Sequence, residues 1–134
     1  MKSKIHRATV TGAELDYAGS ISLDTDLMKL ADIREFEQVA VLDIDNGNRF
    51  ETYAIAGEAG QVQLNGAAAR LVEVGHKVIV ITYADYDDAE LSGFEPLVVK
   101  VDGQTVPELD LLVLGSGVAG LSAAVQAATN SFAL

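Results

Sequence analysis

Residues 38–55 read QVAVLDIDNGNRFETYAI and contain the clearest secondary-structure signal of the chain. Residues 38–44 are rich in Val, Leu and Ile, which favour β-strands. The pair Asn46-Gly47 follows, and Asn-Gly is a strong hairpin signal because both residues tolerate positive φ. Residues 49–55 are then the returning strand, so the stretch predicts a β-hairpin.

Short strand-like runs recur on both sides of this hairpin. Alternating or near-continuous apolar patterns occupy residues 4–11, 77–83 and 97–101. One helix is predicted over residues 25–31, with Asp24 as its N-cap. A second Asn-Gly pair, Asn65-Gly66, precedes a run of small residues. Up to about residue 102 the sequence therefore predicts a compact, mostly β, barrel-like domain.

The composition narrows the classes of function. A chain of 134 residues is one domain by size, and 49% hydrophobic residues suffice for a core. The formal net charge of -11 makes nucleic acid and anionic membranes poor partners, because both would be repelled. Without Cys there is no disulfide, thiolate zinc site or Cys nucleophile, and two His residues predict no metal centre. No apolar run follows the basic N-terminus, so we expect a cytoplasmic protein.

The sequence changes character after Pro107. Residues 111–134 carry no charge and are long enough for a membrane span. Glycines, polar side chains and an acidic upstream flank argue against a span, so no membrane association is expected. Residues 110–114 instead predict a strand. A G-x-G-x-x-G turn and a small-residue helix follow, with the glycines at Gly115, Gly117 and Gly120.

Five short motifs occur in order along the first three quarters of the chain. They are Lys4-Ile-His-Arg7, Tyr17-Ala-Gly-Ser20, Asn46-Gly-Asn-Arg49, Thr52-Tyr-Ala-Ile55 and Asn65-Gly-Ala-Ala68. Through these motifs, residues 1 to about 102 resemble the bacterial, pyruvoyl-dependent aspartate 1-decarboxylases. The resemblance implies a double-psi β-barrel with short helices over residues 1–106. It also implies a homotetramer with active sites between subunits.

The resemblance further implies a reaction, the decarboxylation of L-aspartate to β-alanine and CO2 for pantothenate biosynthesis. This chemistry needs an electron sink that no ordinary side chain supplies. The family makes one by cutting its own chain, here between Gly19 and Ser20. Ser20 Oγ attacks the Gly19 carbonyl, and elimination and hydrolysis leave a pyruvoyl group that forms a Schiff base with the substrate amine. Glycine at position 19 removes a Cβ that would crowd the attack and permits strained backbone angles.

The matching positions imply roles for other side chains. Arg49 and Lys4 would bind the substrate carboxylates, and Tyr53 would donate a proton to the carbanion. Thr52 would hold the Gly19 carbonyl during cleavage. Apart from the resemblance, each has a commoner explanation. An isolated charge is usually solvated, and a strand tyrosine usually packs with a local hydrogen bond.

A small-residue loop completes the set of candidates. The loop that lines the family's pocket matches Asn65, Gly66, Ala67 and Ala68. Asn65 would donate to an oxygen of the reaction intermediate; alternatively, it is a hairpin corner that needs positive φ. His6 and Tyr17 match positions near the cleavage site, although a lone His is more often structural.

Residues 108–128 resemble a different family, since they look like the N-terminal FAD-binding start of an L-aspartate oxidase. The tail, residues 107–134, has no second strand and no acidic residue about twenty positions on to bind a ribose. We therefore expect no FAD at its three turn glycines. Two alternatives to a decarboxylase remain. One is a flavin-binding protein, and the other is a non-catalytic β-barrel binding module that keeps Gly19-Ser20 intact.

Overall fold

Eight strands and three short helices make up residues 1–103, the part of the chain that the computed structural model describes. The strands are β1 (Ser3–Thr9), β2 (Gly12–Glu14), β3 (Ser20–Asp24), β4 (Gln38–Asp43), β5 (Arg49–Gly57), β6 (Val62–Asn65), β7 (Lys77–Thr82) and β8 (Leu97–Gly103). The α-helix α1 is Thr25–Leu30, and two 3-10 helices are Gly66–Leu71 and Asp88–Leu91. The predicted strand, glycine turn and helix of the tail lie outside the described residues.

The strands join in the order β2-β6-β3-β5-β4-β7-β1-β8, and one run of chain brings the ends of this series together. The run begins as β1, which pairs with β7 and β8. It then crosses over, because Thr11 N–H donates to the Val62 carbonyl at 2.7 Å and β2 pairs in parallel with β6. The described residues therefore confirm the expected mostly β, barrel-like fold, here closed by its own N-terminal segment.

The predicted hairpin is confirmed. β4 and β5 pair antiparallel from Gln38 opposite Tyr53 to Leu42 opposite Arg49. In the turn only Gly47 has positive φ, at 80°, so Asn46 does not use the conformation that its type allows. The turn depends instead on Asp43, whose Oδ1 accepts hydrogen bonds from two backbone N–H groups in the turn, those of Asp45 (2.8 Å) and Asn46 (3.3 Å).

The second Asn-Gly pair does not form a hairpin corner, so that alternative for Asn65 is wrong. Asn65 ends β6 with an extended φ of -121°, and only Gly66 is left-handed, with φ 67°. The chain continues into the 3-10 helix Gly66–Leu71 rather than into a returning strand. Asn65 therefore keeps a strand conformation, which directs its side chain towards neighbouring β3.

The predicted helix and its cap are also confirmed. Asp24 Oδ1 accepts from Asp26 N–H at 2.7 Å, as an N-cap does, and the helix ends at Leu30. The second oxygen, Oδ2, accepts from Gly60 N–H at 2.7 Å. One buried carboxylate thus fixes both the start of α1 and the loop after β5.

Alternate residues of the strands fill the interior of the barrel. The largest fully buried side chains come from five strands, from α1 and from the residue that follows β1: Ile5, Val10, Ile21, Leu23, Leu27, Val39, Val41, Val62, Leu64, Val78 and Val80. Strands β2, β3 and β6 were not predicted. In β3 all five residues are buried, including the polar Ser20, Ser22 and Asp24. A search for apolar runs therefore does not detect this strand.

A contact between the partly exposed His76 and the buried Asp43 carboxylate fastens the turn of the hairpin to the start of β7. His76 Nδ1 lies 2.7 Å from Asp43 Oδ2, and the Asp43 side chain is fully buried. The hydrogen bond with Asp43 raises the pKa of His76 above its usual 6.5, against partial desolvation that lowers it. A raised folded-state pKa means that the pair stabilises the fold fully below pH 6.5. That contribution is lost as the pH rises through the raised value.

Replacing His76 by Gln removes the titrating ring and should therefore destabilise the protein in a pH-dependent way. The loss in melting temperature relative to the unsubstituted chain should be largest below pH 6.5 and shrink as the pH rises. Thermal unfolding of both proteins across a pH series measures this difference. A difference that is constant with pH would show that the charge on His76 contributes nothing.

Candidate active site

Ser20 is the first residue of β3 and is held there by hydrogen bonds on both sides of its hydroxyl. It is 1% exposed and pairs with Asn65 of β6, which is fully buried. Asn65 Nδ2 donates to Ser20 Oγ at 2.9 Å, and Ser20 Oγ donates to the Ala18 carbonyl at 3.1 Å. The position of the oxygen is therefore fixed in the uncleaved chain beside the peptide bond that precedes it.

The orientation of Asn65 is itself determined by a row of polar side chains along β6. Gln61 Nε2 donates to Gln63 Oε1 at 3.3 Å, and Gln63 Nε2 donates to Asn65 Oδ1 at 2.8 Å. Because the Asn65 oxygen already accepts from Gln63, its NH2 group must face β3. There it also donates to Ser22 Oγ at 3.1 Å. Gln63 and Ser22 were not predicted as site residues, although polar residues at every second position, Ser20 and Ser22 and then Gln61, Gln63 and Asn65, are visible in the sequence.

The loop before Ser20 packs directly on the backbone of Gly66. A Cβ at position 66 would lie 2.7 Å from Gly19 Cα and 3.1 Å from the Tyr17 carbonyl, distances that allow no side chain. At Gly19 the surroundings are open, since a Cβ would meet only the Asn65 carbonyl at 3.9 Å, and its φ is not left-handed. In this conformation the steric requirement therefore falls on Gly66. That glycine at position 19 eases the attack on its carbonyl stays a prediction.

Thr52 and Tyr53 lie beside the cleavage-site dipeptide. The parallel pairing of β3 with β5 begins at Ile21 opposite Ala54, so these two residues immediately precede the paired segment. Tyr53 is 37% exposed. Within residues 1–103, Thr52 makes no hydrogen bond to Gly19, so its role in cleavage stays a prediction. Two further candidates follow Asn65 in the 3-10 helix, the exposed Ala67 and the buried Ala68.

Arg49 and Lys4 share the outer face of the barrel but do not lie against Ser20. Arg49 is four residues from Tyr53 along β5, which is about 13 Å of strand. Lys4 lies opposite Ile81 of β7, three strands away from β5, which is about 14 Å. Arg49 instead borders an open groove of about 560 Å3, lined by Ala40, Leu42, Arg49, Phe50, Glu51, Ile81 and Tyr83. Within one protomer, the residues expected to bind the substrate carboxylates are therefore distant from the cleavage site.

The structure also separates His6 from Ser20 in the sheet. His6 lies opposite Ile79 of β7 and Lys100 of β8, and neither strand neighbours β3. Burial lowers the pKa of His6, as do the charges of Lys4, Arg7 and Lys100, so the neutral form of the imidazole is favoured. Its Nδ1 is buried with no hydrogen-bond partner among the described residues.

Among the described residues, one group of side chains has the spacing of metal ligands, namely Asp43, Asp45 and His76. Its atoms already make protein hydrogen bonds, because Asp43 Oδ2 pairs with His76 and Asp45 Oδ2 accepts from Lys77 N–H at 2.8 Å. A count of His residues overlooked this group. It lies at the hairpin turn, apart from Ser20, and its contacts explain it as a structural network.

The comparisons with known proteins agree with the five motifs. Residues 1–107 match the family described as aspartate decarboxylase. The chain belongs to this family. The resemblance recognised in the sequence is thereby confirmed. All candidate residues of the cleavage site lie within the part of the chain that matches the aspartate decarboxylase family.

Individual relatives in the aspartate decarboxylase family are similar over nearly the same length. A protein of Acetivibrio thermocellus named aspartate 1-decarboxylase is 61% identical over 104 residues, which cover 76% of this chain and 82% of the relative. Proteins with the same name from Campylobacter jejuni and Kosmotoga olearia are each 58% identical. These alignments cover 76% and 79% of this chain, and 82% and 92% of the respective relatives.

Substituting Ala for Gly66 should destabilise the chain more than the same change at Gly47, whose φ of 80° is equally left-handed. At Gly47 a Cβ meets nothing within 4 Å, so only the backbone strain of about 1–2 kcal/mol is expected. At Gly66 the contact with Gly19 adds to this strain and displaces the loop before Ser20. Urea unfolding of both variants measures the two losses, and equal losses would contradict the close packing of residues 66 and 19.

Proposed function

We propose that this chain decarboxylates L-aspartate to β-alanine and CO2 with a pyruvoyl group that it makes from Ser20. The β-alanine would supply pantothenate biosynthesis. Membership of the aspartate decarboxylase family and relatives named aspartate 1-decarboxylase support the reaction. The main support for self-cleavage is the buried Ser20 hydroxyl, which hydrogen bonds to Asn65 and to the Ala18 carbonyl hold in place.

The first step is cleavage of the chain by its own serine. Ser20 Oγ bonds to the carbonyl carbon of Gly19 while the C–N bond breaks, which exchanges an amide for an ester. Loss of the residue 20 α-proton then releases the Gly19 carboxylate and leaves a dehydroalanine. Addition of water and loss of ammonia give the pyruvoyl group. Thr52 would polarise the Gly19 carbonyl when the loop moves towards it.

The change from exposed to buried residues at position 20 fits a chain that is cut there and begins with a pyruvoyl group. Residues 13–19 are exposed, whereas Ser20–Asp24 are buried. A cut between them frees an exposed end, while residue 20 stays anchored by the pairing of β3 with β5 and β6. The new group would therefore remain in a fixed place beside Tyr53.

The remaining residues would bind and protonate the substrate. A pyruvoyl carbonyl at position 20 supplies an electrophile for the substrate amine and a sink for the electrons released with CO2. Tyr53 lies beside it and would donate the proton that replaces CO2. Arg49 and Lys4 would bind the carboxylates, with Arg49 able to form two parallel hydrogen bonds. Asn65, once Ser20 Oγ is gone, keeps a donor directed at position 20.

Ser20→Ala should abolish cleavage, because it removes the attacking oxygen. The unsubstituted chain should give two masses under denaturing conditions, the larger lighter by one ammonia than a fragment that begins with Ser20. Ser22→Ala is the matched control, since Ser22 shares the Asn65 donor yet does not follow a glycine. It should still be cleaved. A single intact mass for the unsubstituted chain would instead favour a non-catalytic β-barrel module, and flavin absorbance would favour a flavoprotein.

We further propose that active sites form between copies of the chain in a homotetramer. The distances of Arg49 and Lys4 from Ser20 within one protomer support this arrangement. The outer face between Arg49 and Lys4 carries several apolar side chains, with Ala40, Leu42, Ile79 and Ile81 half-buried and Tyr83 62% exposed. A second copy seated on this face would cover it and could bring its own Ser20 towards Arg49.

Mixing two inactive variants tests whether sites are shared. Chains with Ser20→Ala supply an intact Arg49, and chains with Arg49→Ala supply an intact, cleavable Ser20. Coexpression should restore a fraction of decarboxylase activity if Arg49 serves the Ser20 of another copy. Ser20→Ala coexpressed with Tyr53→Phe is the control and should stay inactive, because Tyr53 lies beside Ser20 of its own chain. No recovery in the first mixture would place all groups in one protomer.

The proposal also includes a cytoplasmic location and no bound FAD. No helix among residues 1–103 is long and apolar enough to cross a membrane. Gly115, Gly117 and Gly120 lie outside the described residues, and the expectation that they bind no FAD stays a prediction from sequence.

A further inference from the structure

Phe36 combines a strained backbone conformation with an exposed side chain. Its φ is 73°, in the left-handed region that aromatic residues rarely adopt. Within one chain its side chain is nevertheless 71% exposed, so packing inside the chain gains little in return for that backbone strain. A strained residue that persists without a packing reason points to a functional constraint.

Backbone hydrogen bonds place Phe36 alongside β5. Phe36 N–H donates to the Ala54 carbonyl at 2.6 Å, and Ala54 N–H donates to the Glu37 carbonyl at 3.0 Å. The side chain of Glu37 is fixed as well, since its Oε2 accepts from Lys2 Nζ at 2.9 Å. Residues 36 and 37 are therefore tied to the residue that directly follows Tyr53.

The ring of Phe36 contacts the ring of Tyr53. Their centroids are 6.5 Å apart with an interplanar angle of 46°, a tilted geometry within the usual range of about 4.5–7 Å. Tyr53 has no hydrogen bond to its hydroxyl among residues 1–103, and no other aromatic ring in that part of the chain contacts it. The Phe36 ring is thus the aromatic wall that limits where the phenol can point.

We propose that Phe36 is a positioning residue that sets the direction of the Tyr53 hydroxyl for proton transfer, an inference that rests on the proposed decarboxylase function. A proton donor must approach its acceptor to hydrogen-bond distance, so a freely rotating phenol donates less often. Phe36 needs no contact with the substrate for this effect. The strained backbone brings the ring to Tyr53 in a way that an ordinary strand residue at position 36 would not.

The test separates the ring from the backbone. Phe36→Asn removes the ring and suits a left-handed φ, and Phe36→Tyr keeps a ring as the conservative variant. Phe36→Asn should still be cleaved and should keep or raise its melting temperature. Its kcat for aspartate should fall roughly three- to tenfold, in keeping with loss of one aromatic contact, with KM little changed. Phe36→Tyr should keep the kcat of the unsubstituted chain.

A double substitution shows whether the effect passes through the phenol. In a Tyr53→Phe background, Phe36→Asn should cause no further loss of kcat, because the hydroxyl that it positions is absent. An equal loss in both backgrounds, an unchanged kcat in Phe36→Asn, or a smaller assembly mass for that variant would each overturn the inference.

The proposed function fails separately from this inference. If the unsubstituted chain forms no pyruvoyl group and releases no β-alanine, the decarboxylase proposal is wrong, and the role of Phe36 is wrong with it. If the unsubstituted chain is cleaved and active while Phe36→Asn matches it in kcat, only the inference on Phe36 is wrong. Normal turnover by Tyr53→Phe also overturns the inference, since Tyr53 would then not be the donor.

Discussion

The hydrogen bond from Asn65 to Ser20 is the interaction on which the candidate site depends. It joins the last residue of β6 to the first residue of β3, both buried, at the point where the exposed loop enters the barrel. A buried amide that lost this partner would carry a desolvation cost of about 1–3 kcal/mol, so the pair is favoured as a unit. The row of glutamines behind Asn65 and the absence of a side chain at Gly66 both serve this one contact.

Local signals in the sequence predicted the parts of the fold that are determined locally. The Asn46-Gly47 turn and the Asp24 cap each involve residues within a few positions of one another, and both are confirmed. The family motifs likewise selected Ser20, Tyr53 and Asn65 as candidates, and these three lie on the neighbouring strands β3, β5 and β6. Short-range patterns fail for β3, because every residue of that strand is buried by distant neighbours on both faces.

The features that could not be predicted depend on long-range geometry. The close approach of Gly66 to Gly19 joins positions 47 residues apart, and no local pattern indicates which glycine needs the space. The separation of Arg49 from Ser20 follows from strand order and register, which the sequence does not state. The strained Phe36 lies in the loop between α1 and β4, where no periodic pattern of apolar residues indicates its conformation.

The barrel is closed by the same N-terminal run that self-cleavage would detach. If the chain is cut after Gly19, β1 and β2 belong to a separate peptide, yet β1 still lies between β7 and β8 and β2 still pairs with β6. The precursor can refold as one chain, whereas the mature protein must recapture a free fragment from solution. Maturation would thus convert an intramolecular folding reaction into one whose recovery depends on concentration, and heat damage that is reversible before the cut becomes hard to repair afterwards.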